Sequence, residues 1–164
     1  MKKLNKKQLS AISLGLMGLA ALLWLVMGSV KVTVLDSVSA NGSGLEAMTG
    51  IEYEGVELVG FNFVALLTIV VALCAGILAF KSHKAAPGLA VLAAVLFIVV
   101  GFTMPLGYTS ELREIVKLAK SQGIKLYKWG PAAGSYIAAI LCAGSAALQV
   151  FGPKYLLAEE APAE

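Results

Sequence analysis

Cys74 and Cys142 are the only thiols in this chain, and His83 is its only imidazole. A dithiol redox centre needs two cysteines within bridging reach and a charge or a Cys-x-x-Cys turn to stabilise one thiolate. These two lie in separate apolar runs with no charged neighbour, so they are expected to be free, mutually independent packing residues. His83 stands between Lys81 and Lys84, and a metal site takes about three or four ligands. No nucleophile, base and orienting group can be assembled from what remains on either side of the apolar runs, so no catalytic, cofactor-binding or metal-binding residue is expected. Pumps and secondary transporters keep ionisable groups inside the bilayer to bind ions or relay protons. None lies inside the four apolar runs of this chain.

Those runs decide the architecture. Leu9 to Val30, Leu58 to Phe80, Gly88 to Leu106 and Pro131 to Phe151 are 22, 23, 19 and 21 residues long, and a helix needs about 20 apolar residues to cross a hydrocarbon core. The chain is 59% hydrophobic and 14% charged with a mean hydropathy of +0.83, against about 25% charged for an ordinary soluble domain. The expected fold is an all-α membrane protein: one domain over 1–164, a four-helix transmembrane bundle with spans 9–30, 58–80, 88–106 and 131–151. A small extracytoplasmic β-hairpin and an amphipathic helix should cap it. Thirteen Lys and Arg flank the apolar runs, which suits membrane anchoring and not nucleic-acid binding.

Lys2, Lys3, Lys6 and Lys7 ahead of the first run also suit a signal peptide, but a signal h-region is about 7–15 residues and this run is 22. Val38-Ser39-Ala40 resembles a cleavage tripeptide, yet lies beyond a strand-like stretch; an uncleaved first helix is favoured. Those four lysines together with Lys81 and Lys84 in the turn 81–87 oppose Lys31, which puts both termini in the cytoplasm by the positive-inside rule. The tail 152–164 is then cytoplasmic, and the loops 31–57 and 107–130 are outside. Arg113, Lys117, Lys120, Lys125 and Lys128 in the last loop argue the other way, but the first helix usually dominates.

In the first outer loop the alternation Val30-Lys31-Val32-Thr33-Val34-Leu35 suits a strand, and Ser39 to Gly44 reads as a turn rich in residues that take positive φ. Leu45 to Met48 reads as a helical turn ended by Gly50, and Ile51 to Glu57 as a second strand broken at Gly55. The second loop holds an amphipathic helix. Thr109 or Ser110 caps it, Glu111 and Glu114 occupy its first turn, and Gly123 stops it. Leu112, Ile115, Val116 and Leu118 make its apolar face, while Arg113, Lys117 and Lys120 make a basic one. The loops carry −4 and +3, so the helix is expected to dock on the hairpin; its alternative place is the lipid surface. Tyr127 and Trp129 mark re-entry at headgroup level.

Within the fourth run Gly130, Gly134, Ala138, Cys142 and Ala146 recur every four residues and read as a helix-packing seam, because small residues let helix backbones touch. Pro131 suits the first turn of that helix. Asn62 and Gln149 lie near span ends, and Ser13, Thr68, Ser135 and Ser145 can bond their own helix carbonyls.

The order of helix, strand-bearing loop, helix, short basic turn, helix, outer segment and helix resembles the claudin and peripheral-myelin-protein type of tetraspan architecture. The first outer loop has neither Trp nor Cys, so the claudin loop signature is absent. Met1-Lys2-Lys3-Leu4-Asn5-Lys6-Lys7 and Ser43-Gly44-Leu45-Glu46-Ala47-Met48-Thr49-Gly50 are similar to segments of small four-span bacterial membrane proteins. That likeness implies a location and no activity. The expected role is a non-enzymatic accessory or scaffold protein of the cell membrane. Its expected partners are the lipid bilayer and either a membrane protein or a second copy of the chain. A component of an oligomeric carrier or channel is the first alternative, and a thiol-redox enzyme the second.

Overall fold

The computed structural model describes residues 5–35, 38–53 and 56–155. In chain order its elements are α1 (Lys6–Val26), β1 (Gly28–Val34), β2 (Val38–Ser43), α2 (Gly44–Thr49), β3 (Ile51–Tyr53), β4 (Val56–Val59), α3 (Phe63–Phe80), α4 (Ala86–Thr103), a 3-10 turn (Met104–Gly107), α5 (Ser110–Ser121), β5 (Tyr127–Pro131) and α6 (Ala133–Tyr155). Helices α1, α3, α4 with its 3-10 turn, and α6 are long and apolar enough to cross a membrane.

These four helices pack as a ring: α1 on α3, α3 on α4, α4 on α6, and α6 back on α1. The interior is built from small side chains. Ala20, Ala72, Ala75, Ala90, Ala93 and Ala138 are fully buried, while Leu22, Ile77, Val95, Phe102 and Ile140 point outward. In water this distribution would be inverted; in lipid, where tails are as apolar as leucine, helices associate by close backbone packing and put bulk outside. A Cβ on Gly76 of α3 would sit 3.1 Å from Met17 of α1, which shows how tight that seam is. Trp24 and Phe97 fill the centre, their rings 5.5 Å apart and tilted by 52° across the bundle.

Local chemistry sets most helix ends. Asn5 and Gln8 form a capping box at the start of α1, and Asn62 caps α3 by accepting from the amides of Val64 and Ala65. Helix α1 stops at Val26, not at Val30, because Met27 turns extended and Gly28 to Val30 join a sheet. Likewise α3 begins at Phe63, not Leu58, since Leu58 and Val59 belong to β4. Helix α4 starts two residues before Gly88, with Pro87 in its first turn, and tightens into the 3-10 turn after Thr103. Helix α6 starts at Ala133 and runs to Tyr155; Pro131 is the last residue of β5, not a first-turn proline.

Strands gather at one end of the bundle as a cap, and here the expectation of one hairpin is corrected. Strand β1 is central in a three-stranded antiparallel sheet ordered β2-β1-β5, and β3 with β4 forms a separate two-stranded ribbon. Ser39 to Ser43, read as a turn, is strand: Val32 pairs with Ala40 and Lys31 with Asn41. On the other side Val32 pairs with Trp129 and Lys31 with Gly130, so the second loop supplies a third strand. The helical turn after it is α2, boxed by Ser43 and Glu46 and ended at Gly50 with φ 138°. The break expected at Gly55 lies outside the described residues.

Candidate functional site

The seam and the cap are the two places where sequence suggested function. Four of the five seam residues, Gly134, Ala138, Cys142 and Ala146, are buried along α6. Gly130 is not in that helix; it lies in β5, half-buried, opposite Lys31, with open space where a Cβ would go. Gly134 meets Ser29, the Gly28 carbonyl and Met27, so its close neighbour is the junction of α1 with β1. Cys142 is a buried free thiol and Cys74 an exposed one on α3. His83 is exposed, and its Nδ1 accepts from the Ala85 amide, which holds the turn between α3 and α4. No group of three or more His, Cys, Asp or Glu side chains is arranged to hold a metal among the described residues.

Beneath the sheet lies a polar knot. Trp24 Nε1–H donates to Ser135 Oγ at 3.0 Å, and Ser135 Oγ–H donates to the Ser29 carbonyl at 2.7 Å. Ser29 Oγ–H in turn reaches the carbonyls of Trp24 and Met27, two acceptors left free where α1 ends. Ser135 therefore joins three elements and does not bond its own helix. The available signal was Trp24 itself: an indole N–H among apolar residues must find an acceptor. Ser145 likewise crosses to the Ser13 carbonyl on α1 and accepts from Gln149, while Thr68 does bond its own helix at Val64.

The loops are joined by backbone and aromatic contacts. Trp129 in β5 is buried and donates its Nε1–H to Tyr108 Oη at 2.7 Å, the rings 6.4 Å apart. Burial pushes the Tyr108 phenol above the ordinary tyrosine value, a rise that the Trp129 hydrogen bond opposes and nearby Tyr127 reinforces. Tyr108 also bridges to Val59 of β4, and the Gly60 amide donates to the Gly107 carbonyl at 2.8 Å. A Cβ on Gly101 of α4 would strike the backbone at Gly130 and Pro131, so β5 rests directly on that helix.

Helix α5 departs from the docked cap that its charge suggested. Only Leu112, 4% exposed, is buried, and Val116 is half-buried against the core; Ile115 and Leu118 are 56% and 65% exposed. Arg113 donates to the Tyr108 carbonyl, while Lys117 and Lys120 project from the surface. No ion pair links the two oppositely charged loops among the described residues. Exposed pairs bring about 0–1 kcal/mol, too little to dictate the docking; strand pairing and the Trp129–Tyr108 contact do so. The sequence showed Tyr108 no special role, because its partner lies on a strand that only long-range pairing creates. No family model, curated protein or solved structure matches this chain.

Proposed function

We propose that this chain is a multi-pass protein of the bacterial cytoplasmic membrane, with both termini inside. Its role is that of a non-enzymatic accessory or scaffold subunit engaging a membrane-protein partner through its outer cap. The observation that carries this reading is the central position of β1, which draws both loops into one folded platform seated on the bundle. Such a platform has a use that a minimal connection between helices would not need. Strand β2 is an edge of that sheet, with exposed Ser39 and Asn41, and an edge strand offers unpaired backbone groups to a neighbour.

A photo-crosslinking side chain in place of Asn41, activated in native membranes, should give one dominant adduct with a membrane protein. The same group in place of Leu22, on the outward face of α1, should not give that adduct. Equal adducts from both positions, or none from Asn41, would sink the cap as the contact surface. Solute flux through vesicles holding the purified protein would favour the carrier alternative, and thiol turnover abolished by Cys142→Ala the redox one. Reporter fusions beyond Tyr155 test the inward termini.

A further inference from the structure

Ala147, Leu148, Phe151, Gly152 and Tyr155 line a groove of about 280 Å³ along the last turns of α6. At about 100° per residue they cover an arc of roughly 140°, with Ala147 at one edge and Gly152 at the other, and about 12 Å of the helix axis. The groove is therefore a lengthwise strip, smaller than the clefts of about 300–1,000 Å³ that enclose compact ligands. Small Ala147 and Gly152 leave the space, and Phe151 and Tyr155 stand out beside it, 59% and 67% exposed. Each edge of the strip carries a lysine. Lys154 falls about 20° beyond Ala147 around the helix, and its Nζ lies 5.4 Å from the centre of the Tyr155 ring. At the other edge Gly152 packs on α1, where an added Cβ would lie 2.8 Å from Leu9 Cδ1. Lys6 precedes Leu9 by three residues, on the same side of α1 and one turn nearer its start.

Charge around the groove has one sign. Lys6, Lys7, Lys81, Lys84 and Lys154 are all exposed at this end of the bundle, where the Ser10 and Ser82 hydroxyls, 3.2 Å apart, hold the start of α1 to the turn between α3 and α4. Every Asp or Glu among the described residues belongs to the two loops at the opposite end. The strip begins between the two lysines at the terminus of a long apolar helix and runs from Tyr155 inward to Ala147 on its outward flank. That shape calls for a hydrocarbon chain, and its mouth calls for an anion. We propose that the groove holds an acyl chain of an anionic phospholipid, retained more firmly than the surrounding lipid, with the phosphate between Lys6 and Lys154. This rests on the membrane-spanning reading above. Basic pockets beside transmembrane helices take anionic head groups in this way. A zwitterionic lipid brings an ammonium group to the same two lysines and loses the advantage.

The test uses the full-length protein in detergent with equal amounts of phosphatidylglycerol and phosphatidylcholine, the retained lipids being counted by native mass spectrometry. One phosphatidylglycerol per chain should be kept in preference to phosphatidylcholine. Lys6→Gln and Lys154→Gln should each lower that retention about five-fold. Lys81→Gln with Lys84→Gln removes as much charge from the same end and should leave it unchanged. Ala147→Trp fills the groove from an exposed position and should release the lipid without lowering the melting temperature. Equal retention of the two lipids overturns the proposal, and so does an equal loss from the Lys81 and Lys84 changes, which would mean a diffuse field in place of a site. Glu159, Glu160 and Glu164, beyond the described residues, are rival partners for the lysines. Phosphatidylglycerol kept only after all three are changed to Gln would give the lysines to that tail and overturn the lipid seat. Carbonate extraction of native membranes separates the two readings: protein that stays in the pellet but shows no lipid preference refutes the lipid seat alone, and protein washed into the supernatant refutes the membrane-spanning reading together with it.

Discussion

The bundle and the cap solve the same packing problem with opposite residue types. Between the long helices the buried positions are mainly alanine, glycine and serine, with Trp24, Phe97, Met17, Met104, Val100 and Leu9 as the larger exceptions. In the cap they are Val30, Val32, Ile51, Leu58, Val59 and Trp129. A cap bathed in water gains from removing large apolar side chains from solvent, about 25 cal/mol for each Å² buried. In the membrane setting proposed above, the long helices would gain nothing from that and would depend on close approach and internal hydrogen bonds. One chain therefore carries two packing codes, and they meet at Trp24, Ser29 and Ser135.

Six substitutions would break or sharpen this contrast. The largest effect is expected where the two codes meet: Trp24→Ala empties the centre of the ring and frees the Ser135 hydroxyl of its donor, and should cost about 3–5 kcal/mol. Thermal melting in detergent should show it; a parental melting temperature would mean that the ring is not organised around Trp24. Leu112→Ser comes next, at about 1.5–3 kcal/mol because Leu112 is the buried anchor of α5, whereas Ile115→Ser should leave cap stability nearly unchanged. Limited proteolysis between α5 and β5 should separate them, and equal sensitivity would restore a fully docked helix. Gly134→Leu and Ala138→Leu overfill the seam for about 1–3 kcal/mol each, read as lowered accumulation and melting. Variants that melt like the parent would refute close packing there.

The smallest effect belongs to Tyr108→Phe, about 1 kcal/mol for the lost hydrogen bond with Trp129. It has a pH signature. Because burial raises the phenol in the folded state, the folded cap holds that proton more tightly than the unfolded chain does. Its contribution is fully present below the unfolded value of about 10 and is lost as pH rises through the folded one. Protease resistance of the cap should fall at alkaline pH in the parent and less steeply in Tyr108→Phe; identical profiles would remove Tyr108 from the account.

Features governed by neighbours in sequence were legible in the sequence; those governed by distant partners were not. Four helices of membrane-crossing length, the Thr109 cap and Gly123 stop of α5, and the short helix ended by Gly50 all follow from periodicity and capping within a few residues. Ser39 to Ser43 looks like a loop by composition and becomes strand only because β1 pairs with it. Tyr127 to Pro131 is strand for the same reason, and that pairing takes Gly130 and Pro131 out of the helix their spacing suggested. The ends of the first two apolar runs were misplaced because apolar composition cannot tell the last turn of a helix from the first residues of a buried strand. In the seam, spacing identified buried small residues on α6 but not that Gly134 faces the chain leaving α1.

The order in which the sheet is completed sets a clock for making the protein. Strands β1 and β2 are neighbours in the chain and can pair as soon as both have been made. The other edge of β1 waits for β5, and between them two more of the long helices must be synthesised. At usual translation rates that interval is on the order of 10 s. Throughout it the nascent chain carries an unpaired strand edge, which is a template for pairing with another chain. Closure of β5 on β1 therefore comes only after α3 and α4 have been made, and a chain that ends before Tyr127 leaves that edge of β1 open.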